Sequence, residues 1–469
     1  MTCALPMRDY QSRAFGETLA HVRAGKRAPL LVLPTGGGKT RIGAEFVVRH
    51  NERSATHRTV WLAPRIELVK QAGERLLAEG VTGLRLELAG RSVGAPGARV
   101  VVSTIQTLIA RDFPLDTTTL LVFDEAHHYV SAEWRKPAER LNPKAIRLGL
   151  TATPERGDRT PLGDLFDALI VVSTYRELID RGYLCPIEVF APSRSVRELA
   201  WEPVDAWKKH AGDRPGVVFC QSVEHARKLA DDFNAAGYRA ACIDGKLSTK
   251  TRDADLERFQ RGELDILTNV HVLTEGWDAP RAKVCMIARG CAADCTYLQM
   301  VGRVMRPASG KLGAQPGEVA TLIDLRGVVH MHGMPDERRA YSLEGRGVAR
   351  AATLALRSCP LCACCFVSAP SCPRCGYDDF PKPKPPRVQK HTLQNTTAAN
   401  IVSKSEQYAY FCKLVEEAAR SKFKPGWVGV RFQQRFGRWP MWVVPKTNLG
   451  LGVESLVKKP PTEGAPINP

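Results

Sequence analysis

The chain has 469 residues, of which 44% are hydrophobic and 25% are charged. This length gives room for about three domains of ordinary size, and the composition excludes a wholly disordered protein. Lysine and arginine number 67 against 49 aspartate and glutamate, so the formal net charge is +18. An excess of this size favours polyanionic partners, with nucleic acid first among them.

The apolar runs of the sequence are much shorter than the roughly 18 residues that a membrane-spanning helix needs. The N-terminal segment also lacks the apolar stretch of a secretory signal. Of the 14 cysteines, six lie between Cys359 and Cys375. This clustering indicates one metal site in a reducing compartment rather than a disulfide framework. We therefore expect a cytoplasmic protein without a membrane partner.

Short apolar runs alternate with stretches of helical periodicity through the first 172 residues. The strand candidates lie at 30–33, 59–63, 100–104, 120–124 and 147–151. Between the second and third of them, Leu68, Ala72 and Leu76 share one face of a helix. Strands that alternate with helices predict a parallel sheet covered on both faces.

The same alternation starts again at residue 216, with strand candidates at 216–221, 239–244, 265–269, 284–288 and 319–324. The fold prediction is therefore α/β, with two tandem parallel-sheet domains followed by smaller modules. The predicted boundaries are 1–172 for the first domain, 173–215 for a bridging segment, 216–350 for the second domain, 355–379 for a cysteine-rich ribbon, 380–400 for a Pro/Lys-rich linker, 401–445 for a basic aromatic module and 446–469 for a flexible tail.

A glycine-rich loop, LPTGGGKT, follows the first strand and opens a helix. Its glycines are Gly36, Gly37 and Gly38. They let successive backbone N–H groups face one anion at the positive end of the helix. Lys39 would neutralise the terminal phosphates, and the Thr40 hydroxyl would bind Mg²⁺. The P-loop pattern has glycine where this chain has Leu33, and a flexible surface turn is the alternative, which the position after a buried strand disfavours.

Two adjacent carboxylates, Asp124 and Glu125, end another predicted strand. Asp124 can hold Mg²⁺ through water, and Glu125 can position and deprotonate an attacking water. An isolated pair of this kind is more often a helix cap or a solvated pair. Together with a phosphate-binding loop, the pair predicts a site that hydrolyses a nucleoside triphosphate.

From about Met7 to Pro307, the chain resembles a superfamily 2 helicase of the DEAH type, whose two domains are RecA-like. The resemblance rests on six motifs in the family's order, which are RDYQ (8–11), GGGKT (36–40), FDEAHH (123–128), TATP (151–154), LTEGWDAP (273–280) and QMVGRVMRP (299–307). It implies that the nucleotide is ATP, that Gln11 reads adenine and that Thr35 belongs to the nucleotide site.

The resemblance also assigns roles around the cleft between the domains. Residues of the second domain that would sense or act on the nucleotide are Gly276, Asp278, Gln299, Arg303 and Arg306. The segments PRIEL (64–68) and STIQT (103–107) resemble strand-gripping segments. Nucleic-acid contacts are implied for Arg65, Thr104, Gln106 and Thr268. A motor that steps along a strand must accept any base, so we expect these contacts to be mainly to phosphates.

Arg303 and Arg306 are three residues apart, so a helix would project both toward one anion. An arginine supplied by a second domain stabilises charge on the transferred phosphoryl group and is worth about 10³ to 10⁵ in rate. A lone GRVMR segment is more often a solvated basic stripe. Six ordered motifs instead predict a motor in which ATP closes the cleft and hydrolysis opens it.

The cysteine cluster contains two C-P-x-C knuckles separated by nine residues. The predicted ligands are Cys359, Cys362, Cys372 and Cys375. Two such turns that meet give a tetrahedral Cys₄ zinc site of structural type. Cys364 and Cys365 leave the ligand set open, because one of them could replace Cys362.

Beyond the ribbon the chain is strongly basic. The final 89 residues hold 15 lysines and arginines against 5 acidic residues, with nine aromatic residues interleaved. Trp427, Phe432, Phe436, Trp439 and Trp442 lie close to basic residues. Basic groups attract phosphate and aromatic faces stack on unpaired bases. A small folded module that buries these aromatics, or a docking site for a partner protein, is an equally weighted alternative.

The core, the knuckles and the basic tail together resemble RadD-type bacterial DNA helicases and their phage-encoded relatives. The resemblance implies an ATP-dependent helicase or translocase that acts on single-stranded or forked DNA in repair, recombination or replication. Its setting would be a bacterial cytoplasm, or the host cytoplasm if the protein is phage-encoded, with single-strand-binding or other repair proteins as candidate partners. The alternatives are the motor subunit of a restriction system, an RNA helicase, and an ATP-switched adaptor. His271 replaces a small residue of the family and could alter contact with the strand.

Overall fold

The computed structural model describes residues 6–130, 139–154, 160–274, 276–277, 279–308, 313–344, 356–380, 404–421, 423 and 425–436. Two compact units divide the chain, residues 1–381 and residues 382–469. Nearly all of the predicted linker and the whole of the predicted flexible tail lie outside the described residues. Among the described residues, no helix combines the length and apolar character that are needed to cross a membrane.

An eight-stranded sheet forms the first half of the larger unit, in the order β4-β3-β5-β2-β6-β7-β1-β8. Its strands are β1 Pro29–Val32, β2 Thr59–Ala63, β3 Leu84–Leu88, β4 Arg91–Gly94, β5 Val100–Thr104, β6 Leu120–Asp124, β7 Ile146–Thr151 and β8 Ala168–Val171. The helices are α1 Asp9–Arg23, α2 Lys39–Glu52, α3 Ile66–Ala78, α4 Ile105–Ala110 and a 3₁₀ turn at Ala126–Val130. All neighbouring strands are parallel except the β3–β4 hairpin.

A second eight-stranded sheet follows, in the order β11-β12-β10-β13-β14-β9-β16-β15. Its strands are β9 Ile187–Phe190, β10 Gly216–Cys220, β11 Ala240–Ile243, β12 Ile266–Asn269, β13 Val284–Ala288, β14 Ala320–Asp324, β15 Leu356–Ser358 and β16 Cys364–Val367. The helices are α5 Tyr175–Asp180, α6 Pro203–His210, α7 Val223–Ala235, α8 Thr249–Gln260, α9 Asp294–Gly302 and α10 Val329–His332. The structure confirms the predicted α/β fold of tandem RecA-like sheets.

The central strands are fully buried and mainly apolar, with polar residues at their ends. β2, β5, β6, β10 and β13 are buried at every position, as expected for parallel strands covered on both faces. The carboxyl ends of parallel strands meet at one edge of a sheet, where ligands bind in open α/β folds. The glycine-rich loop after β1 and the acidic pair after β6 both lie at this edge.

Three parts of the sheets differ from the predicted organisation. The hairpin β3–β4 extends the first sheet, although no strand was predicted there. Strand β9 lies inside the predicted bridging segment, yet it pairs with β14 of the second sheet. Strand β16 of the cysteine-rich ribbon pairs with the other side of β9 in the antiparallel direction. The ribbon therefore extends the second sheet and is not a structurally independent module.

The described part of the second unit is a helical hairpin of α11 Lys404–Arg420 and α12 Pro425–Phe436. Phe411 and Phe432 meet edge to face in its core, with ring centroids 6.2 Å apart, and both are buried. Trp427 is half-buried, with the Arg431 guanidinium 5.5 Å from its ring centroid. Phe432 therefore cannot stack on a base, and the described residues favour the alternative of a small folded module. Trp439 and Trp442 lie outside the described residues.

Candidate functional site

The glycine-rich loop curls tightly between β1 and α2. Gly36 and Gly38 have φ angles of 88° and 89°, a left-handed conformation that residues with a Cβ rarely adopt. A Cβ on Gly37 would lie 2.7 Å from the Leu33 side chain, and one on Gly38 would lie 2.5 Å from the Gln11 amide nitrogen. All three glycines are therefore needed for this backbone path. Leu33, the departure from the P-loop pattern, is fully buried and packs beneath the loop.

The predicted adenine-reading glutamine also holds the loop in place. Gln11 accepts the Arg8 backbone N–H at 3.0 Å and donates its amide to the Gly37 carbonyl at 3.1 Å. The Tyr10 hydroxyl donates to the same carbonyl at 2.7 Å. Gln11 lines the cleft together with Arg8 and Tyr183. A base bound at this end of the cleft would thus meet residues that also fix the phosphate loop.

The acidic pair faces the loop across the carboxyl edge of the sheet. Lys39 Nζ lies 3.4 Å from Glu125 Oε1. The backbone of Glu125 has a φ of 49°, a strained value for a residue with a side chain that is typical of functional sites. Burial, followed by the charge of Glu125, raises the pKa of Asp124 well above its usual range. A cation beside Asp124 would therefore stabilise its ionised form.

The donor set at this point fits a magnesium ion. Glu125 Oε2 is buried and accepts no hydrogen bond, and Thr40, Asp124 and Glu125 line the same cleft as Lys39. Hard oxygen ligands and retained waters are what Mg²⁺ prefers. When bound, Mg²⁺ would be held by the Thr40 hydroxyl and, through water, by Asp124, and it would neutralise charge on the phosphates.

The second domain closes the cleft from the opposite side. The cleft encloses about 510 Å³, within the range of ligand sites. Its lining from the second domain consists of Gly276, Trp277, Pro280, Arg303, Arg306 and Pro307. The Arg306 side chain approaches the phosphate loop, since its Cγ would lie 3.1 Å from a Cβ on Gly36. Arg303 donates to the carbonyls of Thr274 and Trp277 at 2.6–2.9 Å, so it also holds the loop that contains Gly276. Asp278 lies outside the described residues.

A buried chain of hydrogen bonds links the acidic motif to both domains. The Gln299 amide nitrogen lies 3.4 Å from His127 Nε2, and His127 Nδ1 lies 3.0 Å from the Thr151 hydroxyl. The Thr151 hydroxyl in turn donates to the Thr153 carbonyl at 2.7 Å. Gln299, predicted to approach the attacking water, meets His127 in this arrangement. The sequence prediction gave His127 no role, although its place two residues after Glu125 was a usable signal.

The segments predicted to grip nucleic acid are unequally exposed. Gln106 is exposed, and Arg65 is half-buried. Thr104 is nearly buried and caps helix α4 by accepting the Thr107 N–H at 3.3 Å. Thr268 is completely buried, and its hydroxyl donates to the Ala226 carbonyl at 2.7 Å. The predicted contact of Thr268 with nucleic acid therefore does not fit this structure, because the residue has no exposed surface.

The four predicted zinc ligands converge at one point. The sulfur atoms of Cys359, Cys362, Cys372 and Cys375 all lie within 4.8 Å of one another. The pair distances Cys359–Cys375 and Cys362–Cys372 are 3.6 and 3.7 Å, close to the separation of about 3.8 Å that tetrahedral Zn–S bonds of 2.3 Å give. Cys364 and Cys365 belong to β16 instead. The donor set and spacing fit zinc, and Cys362 is the fourth member of the cluster.

Gly302 is a point of close contact between the domains, and its replacement tests the closed cleft. A Cβ there would lie 2.8 Å from Thr35 Cβ and 3.0 Å from the Tyr175 hydroxyl. Helix α9 ends at Gly302, so Arg303 and Arg306 lie on the turn that follows it and not on one helix face as predicted. Gly302→Ala should push this turn away from the phosphate loop and lower kcat for ATP hydrolysis by about 10²-fold. Steady-state kinetics would measure this change. Gly16→Ala, on an exposed helix face with open space around its Cβ, should leave kcat unchanged; an equal loss in both variants would refute the explanation.

Comparison with known protein families yields two domain matches. The model of the type III restriction enzyme res subunit matches residues 4–156, and the model of the helicase conserved C-terminal domain matches residues 197–308. A 51.5 kDa protein of a Lactococcus phage (isolate 7-9) is 27% identical, over 74% of this chain and 77% of its own length. The DNA 3'-5' translocase XPB2 of Sulfurisphaera tokodaii is 24% identical, over 64% of this chain and 79% of its own length.

Other similar proteins are considerably longer. This chain spans 49% and 56% of the lengths of two yeast relatives. Among solved structures, the Type ISP restriction-modification enzyme LlaBIII bound to DNA has a TM-score of 0.52 and 16% identity, covering 68% of this chain and 28% of that one. At this identity the structural likeness concerns the fold alone. The ordered motifs, the tandem RecA-like sheets and the two domain matches identify the chain as a member of the superfamily 2 helicases.

Proposed function

We propose that the chain hydrolyses ATP between its two RecA-like domains and uses the cycle to move along, or unwind, a nucleic-acid strand. The observation that carries this proposal is the shared cleft. Lys39 and the acidic pair line it from the first domain, and Arg303 and Arg306 line it from the second. A triphosphate bound there would be contacted from both sides, so cleavage of its terminal phosphate would weaken the attraction between the domains.

Within this mechanism the described residues have separate tasks. The loop N–H groups and Lys39 bind the phosphates, while Glu125 orients and deprotonates the attacking water. Arg306 stabilises charge on the transferred phosphoryl group. His127, which is hydrogen-bonded to Thr151 and Gln299, has its Nδ1 3.7 Å from Glu125 Oε2, so a shift of the second domain would move the side chain beside the catalytic carboxylate.

DNA is the favoured substrate, in a bacterial or phage setting. The basic net charge of the chain, the phage relative and the DNA translocase relative support this assignment. A role in repair, recombination or replication, with single-strand-binding proteins as partners and a cytoplasmic location, is part of the same proposal. It derives from the resemblance to RadD-type helicases.

The motor subunit of a restriction system is the second candidate. It is favoured by the match of residues 4–156 to the type III restriction enzyme res subunit. This role would require a nuclease or methyltransferase partner. Copurification of such a partner, with DNA cleavage that depends on ATP, would favour restriction over repair.

A titration of ATPase activity tests the proposed function. Single-stranded DNA, duplex, forked DNA and RNA would be compared at one salt concentration, since affinity for phosphates depends strongly on salt. We expect turnover to rise most with single-stranded or forked DNA. Turnover indifferent to every nucleic acid would contradict the motor and favour the adaptor. Equal stimulation by RNA would contradict the preference for DNA.

A further inference from the structure

Three adjacent strands of the second sheet end side by side on the carboxyl edge. β10 pairs with β12 and β13, with Phe219 opposite Asn269 and Cys220 opposite Ala288. Extending this register by one or two residues puts Gln221, His271 and Arg289 at the same level. Gln221 and His271 are exposed, and Arg289 is half-buried. A polar row therefore crosses the end of the sheet.

Hydrogen bonds fix the side chain of Arg289 across this row. Its Nη1 donates to the Val270 carbonyl at 3.0 Å and lies 2.7 Å from His271 Nε2. Its Nε donates to the Gly290 carbonyl at 3.1 Å. A guanidinium has only donors, so His271 Nε2 must accept this bond and the ring must carry its proton on Nδ1. His271 thus holds the Arg289 guanidinium at the surface in one orientation.

The first domain approaches the same loop of the second domain. Arg65 Nη1 lies 3.5 Å from the Val272 carbonyl, two residues beyond the carbonyl that Arg289 contacts. Arg65 belongs to the segment predicted to grip the strand. The loop Val270–Val272 therefore lies between an arginine of each domain, and a strand that crosses the junction at Arg65 would next meet Arg289.

Thr268, the strand contact that the motif resemblance implied for the second domain, is buried beneath the row. Arg289 offers what Thr268 does not, a cation oriented at the surface. Nη2 of Arg289 takes no part in these three bonds, so its N–H groups can donate to the oxygens of a phosphate. A contact with a phosphate does not depend on the identity of the base, as a motor that steps along any strand requires.

We propose that Arg289, oriented by His271, binds a backbone phosphate of the nucleic-acid strand, and that this arginine rather than Thr268 supplies the grip of the second domain. The inference rests on the proposed function and assigns a contact residue within it. Arg289 is the contact residue, and His271 is a positioning residue that acts through it.

Binding of a fluorescent oligothymidine to the full chain, measured by anisotropy at several salt concentrations, tests the assignment. We expect Arg289→Ala to weaken binding about tenfold and to reduce the slope of log K against log salt by about 0.7, the value for one phosphate contact on a single strand. Arg289→Gln keeps a donor for Val270 but loses the charge, so it should show the same loss of slope. Arg289→Lys should retain the slope.

Two further variants complete the design. His271→Ala should weaken binding less than Arg289→Ala, with the slope unchanged, because the charge remains but its orientation is lost. Arg239→Ala is the matched control, since Arg239 pairs with Asp265 at the opposite edge of the same sheet; it should bind as the unmodified chain does. The KM for ATP should stay unchanged in all these variants.

The possible failures are distinguishable. If the unmodified chain binds no oligonucleotide and is not stimulated by one, the proposed motor function fails. If the unmodified chain binds and both Arg289→Ala and Arg289→Gln bind equally well with an unchanged slope, only the assignment of Arg289 is overturned. An effect of Arg239→Ala equal to that of Arg289→Ala would also overturn it, because the loss would then reflect net charge alone.

Discussion

Glu125→Gln is expected to lower kcat for ATP hydrolysis about 10²- to 10⁴-fold, the contribution of a positioned general base. The substitution keeps the shape of the side chain and removes its capacity to take a proton from water. The binding of a fluorescent ATP analogue should persist, because Lys39 and the loop N–H groups are unchanged.

Lys39→Ala should also abolish turnover, but through lost contact with the terminal phosphates, so it should weaken nucleotide binding as well.

Controls separate this effect from general damage to the fold. Glu263→Gln alters an exposed glutamate paired with Arg261 and should leave kcat as it is. The unfolding temperature of Glu125→Gln should stay close to that of the unmodified chain. Glutamine keeps the volume and backbone path of Glu125, and the lost ion pair with Lys39 is offset by the loss of a nearly buried charge. Undiminished turnover in Glu125→Gln would remove the catalytic assignment and leave the cleft a binding site only.

The central strands could be predicted from the sequence because burial on both faces favours a mainly apolar run of strand length. Val100–Thr104, Leu120–Asp124 and Val284–Ala288 begin and end as the sequence analysis predicts. The β3–β4 hairpin was not predicted because β4, RSVG, is exposed at all four positions and has no apolar pattern. Strands β9 and β16 are short and lie between β14 and β15. Their pairing depends on contacts distant in sequence, which a local pattern does not report.

The same contrast applies to the site. The glycine-rich loop and the acidic pair could be recognised because their backbone and charge requirements are encoded in adjacent residues. The burial of Thr268 on β12 could not be predicted, because it depends on packing against helix α7, where its hydroxyl donates to the Ala226 carbonyl. The connection of His127 to Gln299 spans 172 residues and two domains. The positions of Cys364 and Cys365 depend on the pairing of β16 with β9, a contact between segments that are distant in sequence.

The ribbon that holds the four cysteines is joined to the second domain by both backbone and side chains. Cys364 and Cys365 lie opposite Phe190 and Val189 of β9. Phe190 packs in a cluster with Cys359, Cys372 and Phe366. The Arg374 guanidinium lies 4.7 Å from the centroid of the Phe190 ring. Loss of the metal should therefore destabilise the second domain as well as the ribbon itself.

Cys362→Ser should reduce bound zinc from one equivalent to none or near none and should lower the unfolding temperature of the chain. Metal binding at such sites is coupled to folding, and a domain of this size loses about 2–4 °C for each kcal/mol. Zinc content would be measured by atomic absorption and unfolding by calorimetry. A chelator should lower the unfolding temperature of the unmodified chain toward that of the variant, and it should change the variant little.

The matched control for the zinc ligands is Cys364→Ala, which removes a buried thiol of the same ribbon from a position on β16. This variant should keep one equivalent of zinc and should respond to the chelator as the unmodified chain does. Retention of zinc by Cys362→Ser together with its loss from Cys364→Ala would reassign the fourth ligand. Equal unfolding temperatures with and without metal would instead mean that β16 stays paired with β9 through packing alone, because the Phe190 cluster would then suffice to hold the edge of the sheet.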